Sequence, residues 1–108
     1  MIIVTGASRG LGKAITNRLI EKGEEVVGLA RSVSDLKFDA IECDVSDYSS
    51  VKSAYRELKR MKKPVKALIN AAGVASMNMA VTTDESTVQK VIQTNLVGTI
   101  YCCQIFAP

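Results

Sequence analysis

Histidine and tryptophan are absent from the 108 residues, and aromatics make up only 5% of them. Three cysteines, an odd number with Cys102 and Cys103 adjacent, give neither a disulfide framework nor a metal-ligand spacing, and no imidazole is there to complete a zinc site. No metal is therefore expected, and the three cysteines read as buried thiols. Net charge is also small: a formal +3 without a basic stripe argues against a nucleic-acid partner. No apolar run approaches the length of a membrane span, and the chain enters a strand at once, which leaves no room for a signal peptide. Repeats, low-complexity segments and linkers are missing as well. The expectation is one compact, cytoplasmic domain, with 47% hydrophobic residues to build its core.

What is present is concentrated at the N-terminus. Residues 2 to 4 are apolar on both faces, as in a parallel strand covered on both sides, and the chain then breaks into Thr5-Gly6-Ala7-Ser8-Arg9-Gly10-Leu11-Gly12. Gly6 allows a tight turn off the strand. Gly10 lets the main chain approach a pyrophosphate, and Gly12 lets the following helix lie close on the strand. The helix's free N–H groups and positive dipole end would face the anion. A P-loop is excluded, because Gly12-Lys13-Ala14 lacks the hydroxyl that would bind magnesium.

The helix carries Leu11, Ile15 and Leu19 at four-residue spacing and ends at Gly23. Val26 to Ala30 form a second buried strand that stops at Arg31-Ser32. In a dinucleotide fold this strand end reaches the adenosine ribose, where a carboxylate would hold a 2′-hydroxyl and an arginine a 2′-phosphate. No carboxylate sits here, and Arg31 together with Arg9 offers two guanidiniums for phosphate. Residues 38 to 43 alternate like a short strand, and Ser46 or Asp47 can cap a helix with Val51, Ala54, Tyr55, Leu58 and Met61 on its apolar face. The basic run Lys59 to Lys63 reads as that helix's solvated C-terminal end. Val65 to Ile69 make the fourth strand. Residues 74 to 83 form a loop in which Met77 and Met79 could border a substrate pocket, and Thr82 with Glu85 resembles a capping box. The last helix, from Asp84 to Ala107, is apolar nearly all round beyond Leu96, which implies burial against further protein.

The strand-TGASRGLG-helix corner, Asp44-Val45 after the third strand, Asn70-Ala71-Ala72-Gly73 after the fourth and Asn95 in the next helix, in this order, resemble the short-chain dehydrogenase/reductase family over the entire chain. The branch it looks most like is the one-domain branch that includes 3-oxoacyl-carrier-protein reductases. The resemblance implies an α/β fold of Rossmann type: a doubly wound parallel sheet in three layers, with its first four strands in the order 3-2-1-4 and the ligand at the carboxyl ends of the strands. Gly6, Ala7, Ser8, Arg9, Gly10, Leu11 and Gly12 would hold the pyrophosphate, Asp44 the adenine amino group with Val45 beside it, and Asn70, Ala71, Ala72 and Gly73 the adenosine ribose side. Arg31 stands where such enzymes choose NADP(H) over NAD(H). Asn-Ala-Ala-Gly in place of Asn-Asn-Ala-Gly loses one side-chain hydrogen bond.

Of the family's four catalytic positions only Asn95 has a match, where it would help anchor a proton-relay water. The family's serine, and its tyrosine four residues before a lysine, would follow a fifth strand. Residues 1–108 are thus expected to be an NAD(P)-binding Rossmann domain truncated before that region. Tyr48 with Lys52 and Tyr55 with Lys59 fit the Tyr-x-x-x-Lys spacing but fall on the wrong helix for it. The implied activity is hydride transfer between NADPH and a carbonyl or secondary alcohol in a homo-oligomer, with no membrane partner. A non-catalytic dinucleotide-binding fragment or regulatory module, and an assembly element using the last helix, are the competing readings.

Overall fold

The computed structural model describes residues 1–74 and 80–106. Four strands, β1 (Ile2–Thr5), β2 (Val26–Ala30), β3 (Ala40–Glu42) and β4 (Ala67–Ile69), form one parallel sheet in the order β3-β2-β1-β4. The register runs Ile2 opposite Val26 and Ala67, and Leu29 opposite Ile41. This is the doubly wound half-sheet expected, with the order reversing beside β1. Every residue of β1 and β2 is buried, because helices and loops cover both faces.

On one face, Ile3, Leu29 and Ile41 pack with Val51, Ala54 and Leu58 of α2 (Tyr48–Arg60) and Cys102 and Phe106 of α4 (Gly98–Phe106). The other face holds Val4, Ala7 and Val26 against Ile15 and Leu19 of α1 (Gly10–Glu21) and against Phe38. Phe38 leaves the third strand, which is shorter than the 38 to 43 expected. Its ring takes the place of a crossover helix: β2 and β3 are joined by residues 31–39 alone, and a Cβ on Gly28 would lie 2.8 Å from the ring. That alternation reads as strand in the sequence because a single ring covering a sheet face has the same local pattern as a strand residue.

Helix α1 corrects another expectation. Leu11 is 72% exposed, and the buried positions are Gly12 and Thr16, with Thr16 Oγ1 donating to the Gly12 carbonyl at 2.8 Å. The helix touches the sheet most closely where it has no side chain, so the buried row is set by the glycine and Leu11 is rotated outward. Asp47 caps α2 by accepting from Ser49 N–H.

The last helix is not continuous α. It runs as α3 (Glu85–Ile92), a π-turn over Gln93–Val97, and α4. Asp84, not Thr82, is its cap, with its carboxylate accepting from Thr87 N–H at 3.0 Å. Thr82 belongs to the preceding 3₁₀ turn, Ala80–Thr82. A row spaced by four residues drifts round an α-helix, and the wider π-turn rotates it back. Val88, Ile92, Leu96 and Ile100 consequently form a row, each about half exposed.

Cys43 and Cys102 are buried, but Cys103 is exposed and receives a hydrogen bond from Asn70 Nδ2 at 3.6 Å. Adjacent helical residues point about 100° apart, so only one of the pair faces the core. Burial pushes the Cys43 thiol up, and pushes Cys102 up to about 12, with the neighbouring Cys43 and Cys103 adding to it. Alkylation of the native chain should therefore modify Cys103 first, and denaturation should release all three; mass spectrometry reads both. Since Cys102 keeps its proton up to a higher pH in the folded chain than in the unfolded one, its contribution to stability is lost as pH rises from about 9 toward 12.

Candidate functional site

At the carboxyl ends of β1 and β2 lies an open cleft of about 570 Å³, bounded by the glycine loop, Arg31 and Ser32 on one side and Ala71 and Gly73 on the other. Gly6 (φ 64°) and Gly10 (φ 60°) both have left-handed backbones. A Cβ on Gly6 would meet the Ala72 backbone, 2.6 Å from its Cα, so Gly6 is where two chain segments cross. A Cβ on Gly10 would meet nothing within 4 Å, because that position opens into the cleft. Helix α1 starts there with Arg9 as its cap residue and with no side chain capping its N–H groups. Those donors, with the helix dipole, suit an anion in the cleft.

Thr5 joins the two walls, and the sequence gives no direct sign of it. Its buried hydroxyl accepts from Ala71 N–H (3.1 Å) and Ala72 N–H (3.0 Å), which draws the Asn70 to Gly73 segment alongside Gly6. A threonine in a fully buried strand is the signal that could have found it. A smaller cavity of about 50 Å³ adjoins the cleft and is lined by Arg31, Asp44, Val45, Ala72, Val74 and Thr94, among others. Asp44 Oδ1 accepts from Ser46 N–H (3.0 Å) and Ser46 Oγ (2.6 Å), and Asp44 N–H donates to Ser50 Oγ at 2.9 Å.

The expected residues thus divide. Gly6, Ser8, Arg9, Gly10, Leu11, Gly12, Arg31, Ala71 and Gly73 meet at the main cleft, while Asp44, Val45 and Ala72 meet at the smaller cavity. Ala7 and Asn70 line neither. Ala7 is buried under the loop, its N–H donating to the Leu29 carbonyl, and Asn70 turns toward Cys103. Asn95 stands beside Gly73 with both ends of its carboxamide engaged: Oδ1 accepts from Val74 N–H (2.7 Å) and Nδ2 donates to the Val74 carbonyl (2.8 Å). Its own carbonyl accepts from Thr99 Oγ1 at 3.0 Å. Met77 and Met79 fall outside the described residues. Lys52 and Lys59 lie over the rings of Tyr48 and Tyr55, at 5.6 and 5.4 Å from the centroids, so each Tyr-x-x-x-Lys pair is a local contact on α2.

A model of the short chain dehydrogenase family matches residues 1–108. This chain belongs to that family. Among similar short-chain dehydrogenases, the rat (Rattus norvegicus) 3-oxoacyl-[acyl-carrier-protein] reductase is 31% identical over 94% of this chain and 47% of its own length. A 4-hydroxyisoleucine dehydrogenase complexed with NADH and succinate superposes with a TM-score of 0.88 at 26% identity, covering 99% of this chain and 50% of that one. An NADPH-bound carbonyl reductase from chicken fatty liver does so with a TM-score of 0.88 at 25% identity, covering 99% and 46%. The chain spans about half the length of the curated relatives it matches. Short-chain dehydrogenases bind nicotinamide dinucleotides, and the uncapped helix end, the open Gly10 and the glycine-lined cleft of this chain fit such a group.

Proposed function

We propose that residues 1–108 form the NADP(H)-binding domain of an oxidoreductase that transfers hydride between NADPH and a carbonyl or secondary alcohol. The observation that carries this reading is the lining of the main cleft, which holds two guanidiniums, Arg9 and Arg31, and no carboxylate among the described residues. An acid at the end of β2 would repel a 2′-phosphate, and an arginine there pairs with it. The glycine loop and the N-terminus of α1 hold the pyrophosphate. Arg31 and Arg9 hold the 2′-phosphate, and Asp44 and Val45 border the adenine. When bound there, NADPH would supply a hydride for a carbonyl carbon and would be left as NADP⁺. Asn95 keeps in this reading the role of helping to anchor a proton-relay water, while its carboxamide holds Val74 and fixes the wall beside Gly73. Three free thiols suit the reducing cytoplasm.

Arg31→Ala should weaken NADP(H) binding by about 1.5–3 kcal/mol, roughly ten- to hundredfold, and leave NAD(H) nearly unchanged. Titration with both cofactors reads this, and equal losses would sink the assignment. Self-association is the second expectation. Among the described residues β4 is an edge strand paired only to β1, and the row Val88, Ile92, Leu96 and Ile100 is half exposed on the long helix. Such an edge and such a face invite pairing with a second copy. Light scattering on the 108-residue chain should show oligomers, and the same sample should not oxidise NADPH with a carbonyl substrate. A clean monomer would refute the first claim. Turnover lost in Tyr48→Phe would show that the α2 pair is catalytic, whereas binding without turnover in a longer natural chain would favour the regulatory module.

A further inference from the structure

The π-turn puts three consecutive side chains to three different uses around the smaller cavity. Thr94 lines it. Asn95 grips Val74 on one rim through both ends of its carboxamide. Gln93 reaches the opposite rim, where Nε2 donates to the Ser46 carbonyl at 3.0 Å across forty-seven residues of sequence. Ser46 in turn gives both its N–H and its hydroxyl to Asp44 Oδ1. The helix can come this close because Gly98 has no side chain: a Cβ there would lie 2.8 Å from Val45 Cγ2 and 3.0 Å from the Val45 carbonyl. A relay therefore runs from Gln93 through Ser46 to the Asp44 carboxylate, and its first link depends on an amide donor of this length.

We propose that Gln93 is a positioning residue for the adenine side of the site, one that orients Asp44 by holding the Ser46 carbonyl and that touches no ligand itself. The inference rests on the reading of the cleft as a dinucleotide site. Without the amide the half-buried carbonyl loses its partner and Ser46 is free to rotate, while Asp44 N–H stays tied to Ser50 and α2 keeps its Asp47 cap. The damage is then local to Asp44. The glycine loop, on the far side of the cleft, does not share it.

Two probes separate these effects, because ADP carries adenine and inorganic pyrophosphate engages only the glycine loop. By calorimetry on the 108-residue chain, Gln93→Met should weaken ADP binding about fivefold and leave pyrophosphate unchanged. Gln93→Glu, which sets a carboxylate against the Ser46 carbonyl, should lose more. Gln89→Met, one turn earlier at a residue whose side chain bonds Glu85 on the exposed surface, should lose nothing. Parental affinity for ADP in Gln93→Met overturns the proposal. Equal losses for ADP and pyrophosphate, which partial unfolding would also produce, overturn it too. If the parent chain binds neither probe, the dinucleotide reading itself falls and takes the proposal with it.

Discussion

A Gly10→Val chain should bind no dinucleotide in a calorimetric titration and still unfold as a cooperative domain. The protein raises no steric objection to the new side chain, since nothing lies within 4 Å of where its Cβ would stand. The objection comes from the backbone. At φ 60° an L-residue costs about 1–2 kcal/mol more than glycine, so melting should fall by roughly 5–15 °C for a domain this size. The space the valine fills is the space above the first turn of α1, where an anion would meet the helix N–H groups. Each charge-assisted bond lost there removes about 1.5–3 kcal/mol, and two of them account for a hundredfold or more. Tight binding by this variant would mean that the loop is a turn and nothing else.

Gly12→Ala, two residues on, should show the opposite order of effects, with stability failing first. A Cβ on Gly12 would overlap the Gly6 carbonyl oxygen and lie 2.7 Å from the carbonyl carbon and 3.1 Å from the Thr5 oxygen. All three are backbone atoms. They cannot move aside easily, because Gly6 is pressed against the Ala72 backbone and the Thr5 hydroxyl is tied to Ala71 and Ala72. Overpacking against backbone of this kind should cost on the order of 3 kcal/mol, a melting temperature lower by roughly 10–20 °C. In a helix free of contacts the same change would be worth about 1 kcal/mol in the other direction, because alanine is the better helix former. The sign of the melting shift therefore decides whether Gly12 is a contact glycine or an ordinary helical one.

Where the sequence was legible, it was because the chemistry demanded a residue type at that position. A strand buried on both faces must be apolar throughout, which marks β1 and β2, and a turn with a positive φ favours glycine, which marks Gly6, Gly10 and Gly23. Helix ends need donors or acceptors, which marks Ser46 and Asp47 as candidate caps, and Asp47 is the one that accepts from Ser49 N–H. Legibility failed where a pattern had two physical causes. Leu11, Ile15 and Leu19 have the spacing of a buried row, yet the contact at Gly12 turned Leu11 outward. Thr82 with Glu85 has the spacing of a capping box, yet Asp84 was better placed. Cys102 and Cys103 are identical as letters, and only the helix phase buries one and exposes the other.

The sequence by itself determined the buried strands β1 and β2, the glycine corner that follows β1 and the residue types gathered there, while the strand order with its reversal beside β1 came from the family resemblance. Tertiary structure alone decided how the walls of the site are joined: Thr5 to Ala71 and Ala72, Asn95 to Val74, and Gln93 to Ser46. The physical reason is range. Periodicity, turn conformation and capping act over a few residues and leave their mark in neighbouring letters, whereas a hydrogen bond between groups 21 to 67 positions apart leaves none until the sheet has brought its two ends together.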